Sequence, residues 1–198
     1  MWQRLLRKIY SHPYLFNLAV GTLIGLGVYL ASIDVDEADR SGRTALHIAA
    51  EQGELDNVNA LLARGATVDA REHCRWTPMM RAAQNGHLDS VKRLLDAGAD
   101  INARDKDGYN ALTASIISNR HRVFEYLLQQ GIQIDVQDHS VGWTALIWAV
   151  KLQRREMIEA LLERGANPAL RDHDGLNAAD WARKSGDVEL AKRLDSLS

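Results

Sequence analysis

Seven histidines and one cysteine are the side chains of this chain that could most readily bind a metal or transfer protons. They form no motif for either purpose, since the sequence has no HExxH, CxxC pair, GxSxG or phosphate-binding glycine loop. Asp105 and Asp107 alternate as carboxylates do in solvated turns, which fits a loop better than acid–base catalysis. Cys74 has basic neighbours at Arg71 and Arg75 that favour a thiolate, although an inert exposed thiol is the simpler interpretation. We predict that the protein is not an enzyme and holds no metal or cofactor.

The elements that must position these residues recur along the chain. The tetrad Thr44–His47 has counterparts that begin, at spacings of 33, 33, 34 and 33 residues, at Thr77, Asn110, Thr144 and Asn177. Seventeen residues after each of the first four starts comes a leucine pair, and three residues later a glycine. Thr and Asn cap helix N-termini, and glycine permits the left-handed turn that ends a helix. Each period therefore predicts two helices.

This pattern resembles the ankyrin repeat, a helix pair with a period of 33 residues. The resemblance covers residues 34–198 and implies an all-α solenoid, in which helix-turn-helix units are connected by β-hairpin fingers. A first finger is expected at residues 34–43, and repeats are expected to start near residues 39, 72, 105, 138 and 172. The resemblance also implies a structural role for His47, in the fourth place of its tetrad, and for His87.

Three further histidines, at positions 73, 139 and 173, fall in separate fingers. Neighbouring helical layers lie about 8–10 Å apart, so these side chains are not expected to share a metal with bonds of about 2 Å. Two departures from the family pattern concern the backbone. Asn119 and Gln153 stand where other repeats have a glycine between the helices, and Gln153 is expected to change its turn. The fourth repeat also has one extra residue near positions 140–142, expected in its finger.

Family resemblance implies that partners bind through the fingers and the first helix of each repeat, on a concave face. Register places tryptophan, tyrosine and arginine there, the residue types enriched in binding hot spots. The predicted partner-binding residues are Arg43, Trp76, Arg81, Tyr109, Ile117, Trp143, Trp148, Lys151 and Trp181. The alternative is that the aromatic rings pack against neighbouring fingers and serve the fold.

A long uncharged segment precedes the repeats. No charged side chain occurs in residues 13–33, and roughly 20 helical residues cross a bilayer core of about 30 Å. We predict a transmembrane signal-anchor helix at 13–33, in contact with the lipid bilayer, after an amphipathic cytoplasmic segment at 1–12. A cleaved signal peptide is the alternative, but its apolar stretch is about 7–15 residues, and the best cleavage candidate has the bulky Leu30 where a small residue is needed.

The charges on either side of this segment predict its orientation. Arg4, Arg7 and Lys8 precede it, whereas residues 34–198 hold all 26 acidic residues and 21 of the 24 basic ones, a net charge of −5. Basic flanks stay in the cytoplasm, so a bacterial protein of this kind would cross the inner membrane once with its repeats in the periplasm. Gly21 and Gly25 form a GxxxG pattern that could support a weak homodimer, although glycine is common in membrane helices anyway. The overall charge of −2 does not suggest a nucleic-acid partner.

Together these patterns predict a membrane-tethered, non-catalytic scaffold or adaptor that recognises an extracytoplasmic protein. Two other functions stay open. An inhibitor or immunity protein would occlude a toxin or cell-wall enzyme, and should bind at nanomolar strength or tighter and abolish its activity. An accessory factor in oxidative-stress defence is the third, because the architecture resembles bacterial membrane-anchored periplasmic ankyrin proteins associated with catalase function.

Overall fold

The computed structural model describes residues 34–197, which form ten α-helices and no β-strand. In chain order they are α1 (Ala45–Gln52), α2 (Leu55–Ala63), α3 (Pro78–Asn85), α4 (Leu88–Asp96), α5 (Ala111–Ile117), α6 (His121–Gln129), α7 (Ala145–Lys151), α8 (Arg155–Glu163), α9 (Ala178–Lys184) and α10 (Val188–Asp195). The predicted all-helical solenoid is confirmed for this part of the chain.

Every first helix of a pair begins at the Thr or Asn that the sequence predicts as its cap. In α3, α5, α7 and α9 the side chain of that residue accepts a hydrogen bond from the backbone N–H three residues later. In α1 the side chain of His47, three residues after the cap, bonds back to the backbone of the cap residue Thr44. Its Nδ1 accepts the N–H of Thr44 at 3.2 Å, so Nε2 carries the proton and donates to the carbonyl of Trp76 at 3.0 Å. Burial lowers the pKa of His47, which keeps this ring neutral and structural.

The core lies between two layers of helices. First helices pack in sequence order against one another, α1 on α3, α3 on α5, α5 on α7 and α7 on α9, and second helices pack on second helices. The third residue of successive tetrads is fully buried between neighbouring repeats, at Leu46, Met79, Leu112 and Leu146. Each such side chain contributes about 1.5–3 kcal/mol when removed from water, so a repeat is stable only against its neighbours.

The turn between the two helices of a pair keeps one conformation throughout. Gly53 and Gly86 have φ angles of 72° and 84° there, and Asn119 and Gln153 follow with 57° and 56°. The expectation that Gln153 would change the fourth turn is therefore wrong. The helices on both sides of the turn are fixed by their own core contacts, and this leaves Gln153 in a left-handed conformation that costs a residue with a Cβ about 1–2 kcal/mol.

Fingers connect the repeats as tight turns rather than as the predicted β-hairpins. Within residues 34–197 there is one isolated bridge, between Ala38 and Thr44, and no strand. Each finger closes with one facing backbone hydrogen bond, such as that from Asp105 N to Tyr109 O at 2.9 Å, and does not extend into a ladder. In four of the five fingers the tip amides bond a carboxylate at the finger base; Asp105 Oδ1, for example, accepts the N–H groups of Asp107 and Tyr109, both at 2.9 Å. Successive fingers are joined by single backbone hydrogen bonds of 2.8–3.1 Å, such as that from His73 N to Ser41 O.

No helix within residues 34–197 has both the length and the apolar character needed to cross a bilayer. The predicted transmembrane helix at 13–33, the amphipathic segment at 1–12 and the glycines at 21 and 25 lie outside the described residues.

Replacing Gln153 with glycine should stabilise the protein, because it removes the left-handed strain while adding some unfolded-state entropy. The expected net gain is about 0.5–1 kcal/mol, and a chain of this size gains about 2–4 °C in Tm per kcal/mol. Thermal unfolding followed by circular dichroism measures it. Asn119→Gly is the matched control and should gain less, since asparagine tolerates this conformation better. An unchanged Tm for Gln153→Gly would show that the turn is not strained.

Candidate functional site

All nine residues predicted to bind a partner occupy three recurring positions on the first helices: one before the cap, four after it and seven after it. We call the surface they form the first-helix face. Eight of them are half-buried, and Ile117, at the C-terminal end of α5, is exposed by 38%. The structure divides these residues into an aromatic part and an ion-paired part.

Four rings of the first-helix face form one connected group, which we call the aromatic cluster: Tyr109, Trp143, Trp148 and Trp181. Trp148 lies edge-on to Tyr109, with ring centroids 5.9 Å apart, and to Trp143, at 4.8 Å. Trp143 in turn lies edge-on to Trp181 at 5.3 Å. Aromatic pairs favour this geometry and gain about 0.5–1.5 kcal/mol from it beyond the area they bury. Three repeats thus contribute to a single cluster whose rings hold one another in place.

A buried carboxylate fixes two of these rings. Asp172 is 6% exposed, and its Oδ2 accepts the indole N–H of Trp143 at 3.0 Å and that of Trp181 at 2.8 Å. Its Oδ1 accepts two finger-tip amides, from Asp174 at 3.0 Å and Leu176 at 2.9 Å. Burial alone would raise the pKa of Asp172, but these four hydrogen bonds to the ionised form leave it lowered. The polar edges of both indoles therefore point into the protein and only their apolar surfaces remain for a partner.

Trp76, at the other end of the first-helix face, is also held by a buried carboxylate. Its indole N–H donates to Oδ2 of Asp105 at 2.8 Å. Burial raises the pKa of Asp105, with a smaller contribution from the Asp107 carboxylate, and outweighs the hydrogen bonds that favour the ionised form. In both cases the carboxylate comes 29 residues after the tryptophan. Asp105 and Asp172 were not predicted as partners of these rings, although their fixed spacing from the tryptophans is a signal for them.

Lysines cover the aromatic cluster at its C-terminal end. The Lys151 Nζ lies 4.0 Å from the ring centroid of Trp143 and 3.6 Å from that of Trp181. Lys184 reaches the same Trp181 ring at 4.8 Å. Burial and then the charge of Lys184 lower the pKa of Lys151, while Asp172 opposes the shift. Lys184 was not among the predicted binding residues, yet it occupies the same repeat position as Lys151 and could have been found by that register.

The other end of the first-helix face carries charges that are already matched. Arg43 bonds Asp39 at 3.0 Å and Glu51 at 3.4 Å. Arg81 bonds Glu72, which is 5% exposed, and its guanidinium lies 4.8 Å from the Trp76 ring centroid. Arg43, Trp76 and Arg81 therefore do not join the aromatic cluster. The ring contacts and the bonds to Asp172 are consistent with a role in the fold, and the half-buried ring surfaces are consistent with partner binding.

In the part of the chain that the structure describes, the histidine, cysteine and aspartate side chains considered above do not come together as a metal-binding or catalytic site. No group of three His, Cys, Asp or Glu side chains there could hold a metal ion. Cys74 is a free, exposed thiol in its finger. Asp105 and Asp107 are joined by a turn hydrogen bond and not arranged as a catalytic pair.

Family models for ankyrin repeats match the chain over most of the described region. A model of three ankyrin repeats matches residues 67–138, and the single-repeat model matches residues 41–73 and 141–173. These matches cover four of the five first helices; α9, which carries Trp181, lies beyond them.

Several proteins are similar to this chain through the same repeats. YahD, an Escherichia coli (strain K12) protein named for its ankyrin repeats, is 30% identical over 181 residues, which are 88% of this chain and 87% of that protein. The potassium channel AKT2/3 of Arabidopsis thaliana is 31% identical over 83% of this chain but only 16% of its own length. The neurogenic locus notch homolog protein 1 of Danio rerio is 30% identical over 79% of this chain and 5% of its own length. The similarity to the last two is therefore confined to a small part of much larger proteins.

Replacing Asp172 with asparagine should destabilise the protein and loosen the aromatic cluster. An amide keeps one acceptor oxygen, so its NH2 group must face either the two indole N–H groups or the two finger-tip amides. We expect a loss of about 1–3 kcal/mol, measured as a lower Tm together with a changed tryptophan emission spectrum. The exposed neighbour Asp174 provides the matched control, and Asp174→Asn should change neither quantity appreciably.

The difference in stability between the parent and Asp172→Asn should depend on pH. The folded pKa of Asp172 is lowered, so the stability it contributes is present above the unfolded value of about 3.9 and is lost as the pH falls through the folded value. The difference in stability between the parent and Asp172→Asn should thus shrink below about pH 4. A constant difference down to acid pH would contradict the role assigned to this carboxylate.

Proposed function

This chain belongs to the ankyrin-repeat family, and we propose that it is a membrane-tethered, non-catalytic scaffold that binds one extracytoplasmic protein on its first-helix face. Ankyrin repeats imply a protein–protein interaction scaffold. The tether, the compartment and the part of the surface used are our proposal.

The observation that carries the proposal is the aromatic cluster. Its rings are half-buried, and three repeats bring them together beside a run of first helices. Edge-on neighbours and the bonds of Trp143 and Trp181 to Asp172 already hold the rings in one arrangement. A partner that binds such a preorganised surface loses little side-chain entropy at the interface. Exposed Ile117 on the same face adds apolar contact area.

The tether rests on the uncharged run of residues 13–33 and on the basic residues before it. The described chain begins immediately after that run and already belongs to the solenoid. Asp36 accepts the backbone N–H of Thr67 at 2.9 Å, the same contact that Asp69 makes with Asp100 in the next repeat. If residues 13–33 span the bilayer, there is no flexible linker between membrane and repeats, and the bound partner would be held close to the membrane surface.

A substitution of Ile117 by arginine should weaken capture of the partner. The intact protein, solubilised in neutral detergent, is used to pull down proteins from membranes, which are identified by mass spectrometry. Ile117→Arg places a charge in the proposed interface, where removing a hot-spot contact costs more than tenfold in affinity, or about 2 kcal/mol. We expect the main partner to be lost or strongly reduced.

Leu55→Arg is the matched control for this experiment. Leu55 is 36% exposed, close to the exposure of Ile117, but it lies on α2 and outside the first-helix face. It should retain the partner. Equal capture by both variants and the parent would exclude the first-helix face as the binding surface. If the captured partner is an enzyme and stoichiometric addition of this protein abolishes its activity, the inhibitor function replaces the adaptor.

The native cysteine tests the membrane orientation without any mutation. Cys74 is the one cysteine of the chain and is exposed in a finger. When the protein is produced in a Gram-negative bacterium, a membrane-impermeant maleimide added to spheroplasts should label Cys74 fully. Labelling that requires lysis of the inner membrane would place the repeats in the cytoplasm and overturn the proposed topology.

A further inference from the structure

We propose that Lys151 and Lys184 recognise an acidic segment of the partner protein, whose carboxylates bind at the C-terminal end of the aromatic cluster. This inference rests on the proposed function, since it names the chemistry of the partner for the same face.

The two ammonium groups lie over one indole ring of the aromatic cluster. Both lie within 4.8 Å of the centroid of one ring, Trp181, and Lys151 also lies 4.0 Å from Trp143, which is nearly perpendicular to it. Two like charges at one ring repel each other, and an anion bound between them would relieve that repulsion. The lowered pKa of Lys151, caused by burial and then by Lys184, agrees with this arrangement.

Neither lysine forms a salt bridge with a carboxylate among residues 34–197. The buried Asp172 attracts the Lys151 ammonium electrostatically. The nearby Asp172 already receives two indoles and two backbone amides. By contrast, Arg43 and Arg81 at the other end of the face are paired with buried or half-buried acids. On the first-helix face, lysine charge without a salt bridge is thus concentrated beside the half-buried rings.

The charge and the apolar surface of this site determine which class of ligand it favours. Residues 34–198 carry a net charge of −5, so the domain as a whole repels acidic molecules and attracts them only at local positive sites. A lysine held against indole rings is partly desolvated, which strengthens its attraction to a carboxylate. Ammonium groups bind anions as point charges, without the planar fork with which arginine pairs to carboxylate and phosphate alike. With apolar rings and Ile117 alongside, the surface fits a peptide that combines glutamate or aspartate with apolar side chains.

Three peptide probes of twelve residues test the inference. They share a Leu/Ser/Gly sequence and differ only in six positions, which are all Glu, all Gln or all Lys. Binding of each fluorescein-labelled peptide to the full chain in neutral detergent is measured by anisotropy at low and moderate salt. The variant is Lys151→Gln with Lys184→Gln, supported by Lys184→Gln alone in case the double variant is less stable.

The chain offers a matched control in Lys92. Its Nζ lies 5.4 Å from the Tyr126 ring, so like Lys184 it is an exposed lysine over an aromatic ring, but it is on α4 and outside the first-helix face. Lys92→Gln should leave every affinity unchanged.

We expect the Glu peptide to bind about tenfold more tightly than the Gln peptide at low salt, and the Lys peptide not to bind. The double variant should reduce Glu-peptide affinity to that of the Gln peptide, and Lys184→Gln alone should lower it by a few-fold. Equal affinity for Glu and Gln peptides, or a preference for Glu that survives the double variant, would overturn the inference.

The pull-down separates this failure from failure of the proposed function. If the partner is lost with Ile117→Arg but retained with the double lysine variant, the first-helix face binds the partner and the acidic recognition is wrong. If the partner is retained with both, the face itself is wrong.

Discussion

The structure depends on one recurrent interaction, a carboxylate buried at the base of a finger. In the fourth repeat Asp138 accepts the amides of Ser140, Val141 and Gly142 with one oxygen and that of Trp143 with the other. In Asp105 and Asp172 the second oxygen instead accepts indole N–H groups. A buried charge is costly unless it is fully hydrogen-bonded, so each carboxylate imposes a tight finger and, at two of the three positions, the direction of an aromatic side chain. Finger shape and the orientation of these indoles on the first-helix face thus have a common cause.

Much of this fold could be predicted from the sequence because its determinants are local or strictly periodic. Caps at Thr77 and Asn110 act on amides three residues away, and the buried tetrad residues recur with the repeat. The conformation of Gln153 could not be predicted, since local preference there is outweighed by core contacts of the helices on both sides. Nor could the β-hairpin interpretation of the fingers be corrected from sequence, because it depends on where the finger-tip amides find acceptors.

The sequence could predict which repeat positions lie on the first-helix face, but not which of those side chains contact one another. Arg43 and Trp76 occupy the same repeat position as Tyr109 and Trp143, yet Arg43 pairs with acids and Trp76 lies under Arg81. Which neighbours meet is set by how one repeat stacks on the next, and a fixed spacing along the chain does not contain that information. The two ends of the first-helix face therefore differ. At one end Arg43 and Arg81 are paired with acids, and at the other the aromatic cluster lies beside two lysines that form no salt bridge among the described residues.

The placement of Asp172 has a consequence for motion. Repeat arrays contact only their neighbours, and single units can open locally. Here the finger that carries Asp172 supplies the acceptor for an indole of the repeat before it, and α9 supplies Trp181 and Lys184. Local opening of this repeat would remove one ring, one lysine and the Asp172 acceptor from the aromatic cluster at once. A ligand held there would slow hydrogen exchange in α9 and α10, so that occupancy and the integrity of this repeat would rise and fall together.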